Sequence, residues 1–240
     1  MKIVLRKFFG ASMDITAIIP VKGFRNAKQR LSGLLNAAQR EMLAEAMFRD
    51  VLRQVLRAHG LAKTVVVTGD DRVAAIARGA GAAVLHETIE SGETDAVDFA
   101  RTGLKNAGSE AVLILPGDMP LVRSGDIELL LAQIPPRQVA PFALLVPSHD
   151  RMGTNALLLA PPDVIKLRFG YDSFSYHLSQ LSAAGLPLRF MDNDQIALDI
   201  DEPEDLARFL ERAENDSESW QIARAVFPER QLPSRRAGEA

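Results

Sequence analysis

The residues best placed to do chemistry are carboxylates that directly follow apolar runs. Asp118 lies in Leu115-Pro116-Gly117-Asp118-Met119-Pro120, immediately past the apolar run Ala111-Val112-Leu113-Ile114-Leu115. A carboxylate in a Pro-Gly-Asp-x-Pro turn is pinned and partly exposed. Such a hard oxygen ligand suits magnesium, which takes one or two carboxylates plus substrate phosphates. The competing reading is a turn aspartate that caps the following helix. Asp199 and Asp201 stand in Leu198-Asp199-Ile200-Asp201-Glu202-Pro203. Alternation puts both on the same side of an extended segment. One of them is expected as a second metal ligand, although Asp201 could equally cap the helix that Pro203 opens.

Two further segments supply groups for anions. Pro20-Val21-Lys22-Gly23-Phe24-Arg25-Asn26-Ala27-Lys28-Gln29-Arg30 carries four basic residues after the first apolar run. A cationic first loop is what a triphosphate requires, because charge must be neutralised as pyrophosphate leaves. The segment lacks the Gly-x-x-x-x-Gly-Lys-Ser/Thr pattern, so a Walker-type loop is not supported. A solvated basic turn is the plain alternative. Asp150-Arg151-Met152-Gly153-Thr154-Asn155 is followed by Phe169-Gly170-Tyr171-Asp172-Ser173-Phe174-Ser175-Tyr176-His177. The Thr154 and Ser173 hydroxyls and the Gly170 amide could hold a small anion, at which a helix starting near Ser173 would aim its N-terminus. Ordinary turn and cap chemistry would use the same residue types. The histidines at 59, 86, 149 and 177 show no metal-ligand spacing, and only His177 is a candidate for substrate contact. No serine-histidine-acid arrangement follows from spacing.

The elements that must position these groups read as a single α/β domain. Ile15–Val21, Lys63–Thr68, Ala83–Leu85 and Ala111–Leu115 are strands, separated by helices near 36–58, 72–78 and 93–106. That alternation predicts a mostly parallel sheet with right-handed crossovers. Sites in such sheets lie at the carboxyl ends of strands, where Lys22, Asp70 and Asp118 all fall. A helix near 124–133 precedes two apolar strands, 142–146 and 155–159, joined by a polar turn. Helices follow at 173–184 and from Pro203 to about Arg212, with a last strand at 196–200. We divide the chain into an extension at 1–12, a domain at 13–213 and a polar, partly disordered tail at 214–240. Met13 is a candidate natural start. In the tail, Trp220, Ile222, Ala223, Val226 and Phe227 form an apolar face that could dock locally or serve a homodimer.

Composition narrows the function classes. Of 240 residues, 47% are apolar and 25% charged, with a net charge of -3, as in ordinary soluble domains. No basic footprint for nucleic acid is present, and no run is long enough to span a membrane. The absence of cysteine excludes disulfides, thiolate metal sites and cysteine nucleophiles, and is compatible with a cytoplasmic location.

Taken together, the segments resemble the 2-phospho-L-lactate guanylyltransferases and their phosphoenolpyruvate and 3-phospho-D-glycerate relatives, which serve coenzyme F-420 biosynthesis. The most specific parts are Ala-Lys-x-Arg-Leu-Ser at 27–32, Gly-Thr-Asn-Ala-Leu at 153–157, and Phe-Gly-x-x-Ser-Phe at 169–174 with His177. The likeness runs from about Ile15 to Leu210. It implies a Rossmann-like nucleotidyltransferase fold with a mixed, mostly parallel sheet flanked by helices. It implies GTP as donor, held near Pro20, Val21, Lys22, Lys28, Asp70 and Gly117. It further implies a phosphorylated acid at Thr154, Gly170, Ser173 and His177, and magnesium on Asp118 with Asp199 or Asp201. Lys22 and Lys28 would then stabilise the leaving pyrophosphate. Many relatives carry a Gly-Leu-Asn-like segment before the third helix, where this chain has Gly92-Glu93-Thr94-Asp95. The alternatives are another nucleotidyltransferase, acting on a molybdenum cofactor or sugar phosphate, and a non-catalytic nucleotide-binding module.

Overall fold

The structure is a computed structural model that describes residues 13–87, 92–135, 141–212 and 217–227. The extension at 1–12, the candidate start and the end of the tail concern regions that lie wholly or partly outside these residues. The chain runs β1 (Ile15–Pro20), α1 (Ala37–Arg57), β2 (Lys63–Thr68), α2 (Asp71–Ala80), β3 (Ala83–His86), α3 (Glu93–Asn106) and β4 (Ala111–Ile114). It continues through α4 (Ser124–Leu131), β5 (Phe142–Pro147), β6 (Thr154–Ala160), α5 (Ser173–Ala183), α6 (Pro203–Arg212) and α7 (Glu218–Val226). One six-stranded sheet has the order β3-β2-β1-β4-β6-β5. Strands β1 to β4 pair in parallel, while β6 is antiparallel to both of its neighbours. The mixed, mostly parallel sheet is therefore as expected.

Burial explains the strand assignments. Every residue of β1 and β4 is buried, as a parallel strand covered on both faces requires. Ile15, Ala17 and Ile19 of β1 face the core under α1, whereas Ile18 joins Val97, Ala100 and Leu104 of α3. Among the described residues no helix is long and apolar enough to cross a membrane. Helix starts follow local chemistry. Asn36 and Gln39 form a reciprocal capping box at α1, and Gly81 closes α2 in a left-handed conformation at φ 97°.

One expectation is corrected. Residues 196–200 do not form a strand. Ile196, Leu198 and Ile200 are buried in alternation, which imitates a strand in sequence. However, the segment leaves a turn in which the Asn193 side chain accepts from the Gln195 and Ile196 amides. Its backbone then makes single bonds with two separate loops, His149 N to Ala197 O and Ile200 N to Asp118 O. The tail contains α7, which docks locally as the apolar face at 220–227 suggested. Ala223 and Phe227 pack with Leu43 and Met47 of α1 and Phe209 of α6.

Candidate functional site

A cleft of about 810 Å³ opens at the carboxyl ends of β1, β2 and β4, lined by Pro20, Val21, Lys22, Lys28, Asp70, Gly117, Asp118 and Asp201 among others. The topology does this directly: parallel strands end on one edge, and the loops that follow them share it. Close backbone approach shapes the walls. A Cβ added to Gly117 would lie 3.1 Å from Val21 Cγ2 and 3.3 Å from Phe48 Cδ2. One added to Gly23 would come within 2.5 Å of Asp70 Oδ2. Asp70 has two roles: its Oδ1 accepts from the Arg72 and Val73 amides and caps α2, while its other oxygen faces Gly23.

The carboxylates converge around one ammonium. Lys28 Nζ donates to Asp118 Oδ2 at 2.6 Å and to Asp201 Oδ1 at 2.8 Å, and its side chain is only 8% exposed. Burial disfavours the charge on Lys28, yet Asp118 and Asp201 hold its pKa above the ordinary lysine value. Burial likewise acts against charge on Asp201, but Lys28 and Arg30 more than offset it, so this carboxyl titrates below the usual range. The capping alternatives are now decided. Helix α6 is capped by Asp205, whose Oδ2 accepts from the Asp201 and Glu202 amides. At the start of helix α4, Asp126 Oδ2 accepts from the Arg123 amide at 2.9 Å. The side chains of Asp118 and Asp201 are thus not needed for helix caps.

Charge is unbalanced on the other side of Asp118. Its Oδ1 is buried without a hydrogen-bond partner. Asp199 lies behind it and accepts from Asn155 Nδ2 at 3.0 Å. Burial first, then Asp118, push the Asp199 carboxyl up to about 6. Glu93, which opens α3 and also lines the cleft, is pushed up to about 7 by burial and Asp118 against the pull of Lys22. An orphaned oxygen beside carboxylates that resist ionisation is a site short of positive charge, and the donor set suits a hard divalent cation. Among the described residues no group of three or more histidine, aspartate or glutamate side chains is arranged to hold a metal ion. A cation that takes most of its ligands from phosphates and water needs none.

The residues expected to hold the acid sit beside this cleft and do not line it. β6 runs antiparallel to β4, with Ile114 opposite Leu157, so its start at Thr154 reaches the same sheet edge as Asp118. Thr154 Oγ1 and His177 Nδ1 are 3.0 Å apart, and His177 Nε2 accepts from the Arg168 amide at 3.2 Å. That pairing puts the ring proton on Nδ1, directed at Thr154. His177 is fully buried, and burial lowers its pKa to about 4. Both nitrogens are committed, so His177 positions Thr154 and the Arg168 backbone and has no nitrogen to offer a substrate. Ser173 is also buried, whereas Gly170 is exposed. Lys28, Arg151 and Asp172 are the described non-glycine residues with positive φ, at 54°, 59° and 53°. All three fall in the segments picked out for chemistry, where such strain concentrates. Sequence reasoning missed the parts of Glu93, Asn155 and Gly23. Asn155 stood inside a noted motif and Glu93 inside a noted departure, but nothing in the sequence signals the Gly23–Asp70 approach.

The fold is one that nucleotidyltransferases adopt. The structure is similar to that of a Desulfovibrio desulfuricans G20 protein described as a nucleotide-diphospho-sugar transferase, with a TM-score of 0.70 at 18% identity over 89% of this chain and 95% of that one. It is also similar to a nucleotidyl transferase from Methanothermobacter thermautotrophicus, with a TM-score of 0.58 at 16% identity over 82% and 95%. Residues 15–225 match the family model described as Guanylyl transferase CofC like, and the chain belongs to that family. It is 38% identical to the phosphoenolpyruvate guanylyltransferase of Conexibacter woesei, over 81% of this chain and 86% of that protein. It is 34% identical to the 3-phospho-D-glycerate guanylyltransferase of Phenylobacterium zucineum, over 79% and 86%. It is 32% identical to the 2-phospho-L-lactate guanylyltransferase of Methanothermobacter thermautotrophicus, over 82% and 85%.

Proposed function

We propose that this protein transfers GMP from GTP to the phosphate of a small phosphorylated acid, releasing pyrophosphate, as a step in coenzyme F-420 biosynthesis. The observation that carries the reading is a cleft lined by Asp118, Asp201 and Lys22, with Lys28 bridging the two aspartates and the Asp199 carboxyl, its pKa held up by burial and by Asp118, behind them. A non-catalytic nucleotide-binding module would need no such cluster. Asp118 would hold magnesium through its unpartnered oxygen. Asp199 is the better second ligand, because Asp201 already has Lys28 as counter-ion. When bound, magnesium would neutralise triphosphate charge and polarise the α-phosphate.

The chain's own residues do the rest by placement and charge. An acceptor phosphate oxygen is already an anionic nucleophile and needs no general base. This agrees with a fully committed, neutral His177. The oxygen bonds to the α-phosphorus as the bond from that phosphorus to the bridging oxygen breaks. The electron pair leaves with pyrophosphate, which Lys22 and a Lys28 released from its carboxylates would stabilise. Asp70 offers a carboxylate to the guanine N–H edge. Thr154, Ser173 and the Gly170 amide would orient the acid. The test crosses the four nucleoside triphosphates with phosphoenolpyruvate, 2-phospho-L-lactate and 3-phospho-D-glycerate in the presence of magnesium. Pyrophosphate should appear with GTP and at least one acid, and silence in every combination would refute the reading.

A further inference from the structure

Glu93, like Asp71 and Glu87, is an acidic group of the cleft that this reaction leaves without a task. It begins α3 and lines the cleft alongside Lys22 and Asp118. None of the described residues donates a hydrogen bond to its carboxyl group. The next residue, Thr94, accepts a hydrogen bond from the Phe169 amide at 2.9 Å. That bond ties the start of α3 to the loop that carries Gly170 and Ser173. Glu93 thus lines the cleft with Asp118 and is one residue from the tie to the loop assigned to the acid.

We propose that Glu93 selects, among phosphorylated three-carbon acids, one that presents a free hydroxyl, of the 3-phospho-D-glycerate type, over acids with a vinyl or methyl group in its place. The proposal rests on the guanylyltransferase reading and departs from the substrate named for the Conexibacter relative. A carboxyl group facing a vinyl or methyl group stays unpaired in a desolvated site, whereas a hydroxyl satisfies it. A site built to bond a hydroxyl rejects analogues that lack one far more strongly than an apolar pocket rejects an added hydroxyl. Ribose hydroxyls present the same chemistry from a second source, so the nucleotide must be varied as well as the acid.

The experiment measures kcat/KM by pyrophosphate release for the three acids with the parent protein, Glu93→Leu and Glu93→Gln. GTP is compared with its 2′-deoxy and 3′-deoxy forms, and GTP-dependent thermal protection verifies that each variant is folded. The parent should prefer 3-phospho-D-glycerate by roughly 10⁴-fold. Glu93→Leu should erase that preference, lowering 3-phospho-D-glycerate and raising the other two. Glu93→Gln, whose amide still pairs with a hydroxyl, should keep most of it. Discrimination against deoxynucleotides should not change. The proposal is overturned if the parent favours a vinyl or methyl acid, if Glu93→Leu slows all three acids alike, or if only deoxynucleotide discrimination moves. Pyrophosphate release with any acid would sustain guanylyl transfer even then. Its absence with every acid would defeat that reading and this one together.

Discussion

The ammonium of Lys28 sits where two metal-side carboxylates need a counter-ion, and this has measurable consequences. Asp118→Asn should lower turnover by roughly 10³-fold or more while leaving the thermal midpoint near that of the parent. An active Asp118→Asn protein would remove the metal assignment. Lys28→Met takes away the charge that Asp118 and Asp201 share. Magnesium should therefore raise the thermal midpoint of Lys28→Met by more than it raises the parent's, and equal shifts would contradict that role. His177 gives a pH signature. Its folded pKa, near 4, lies below the ordinary histidine value of 6.5, so the unfolded chain binds more protons between these limits. Stability from this group is complete above about pH 6.5 and is lost as pH falls through that window, by up to roughly 3 kcal/mol. His177→Gln should flatten the acid limb of a stability–pH curve, and an unchanged limb would show that the ring is not held neutral.

Single elements were legible in the sequence to the extent that their local pattern matched their tertiary role. Buried parallel strands read as unbroken apolar runs, and β1, β2 and β4 were found for that reason. Helix α3 was found through its apolar spacing and α6 through Pro203. Residues 196–200 were misread because alternating burial resembles a strand, although their hydrogen bonds go to single loop positions. Helix α7 was read only as a docking segment because its anchor is 169 residues away in sequence. Asp50 of α1, itself buried, accepts from the Ser219 amide at 2.8 Å and from the Ser219 hydroxyl at 2.7 Å. Asp50→Ala should cost about 2–3 kcal/mol by leaving both donors unpaired. Amide hydrogen exchange should report α7 opening before the sheet, and uniform loosening would argue against this clamp.

At the scale of the whole molecule, the strand ends gather residues that are scattered along the chain. The sheet order brings Lys22, Asp70 and Asp118 onto one edge, and this much followed from the alternation of strands and helices. The start of the antiparallel strand β6 reaches the same edge through a reversal that apolar runs alone do not reveal. The motifs pointed to Thr154, Ser173 and His177, but the hydrogen bonds that make His177 a support for Thr154 depend on how α5 meets β6. Electrostatics at this scale were hidden as well. The raised pKa values of Asp199 and Glu93 come from burial together with Asp118, and no single segment contains those groups. The central claim is that a new phosphoanhydride forms between GMP and a phosphorylated acid. Phosphorus NMR of the protein with GTP, magnesium and each acid tests it most directly. The account predicts an unsymmetrical diphosphate growing in equal amount with pyrophosphate, and abolished by Asp118→Asn. Conversion of GTP to GDP and phosphate, or no new phosphoanhydride with any acid, would contradict it.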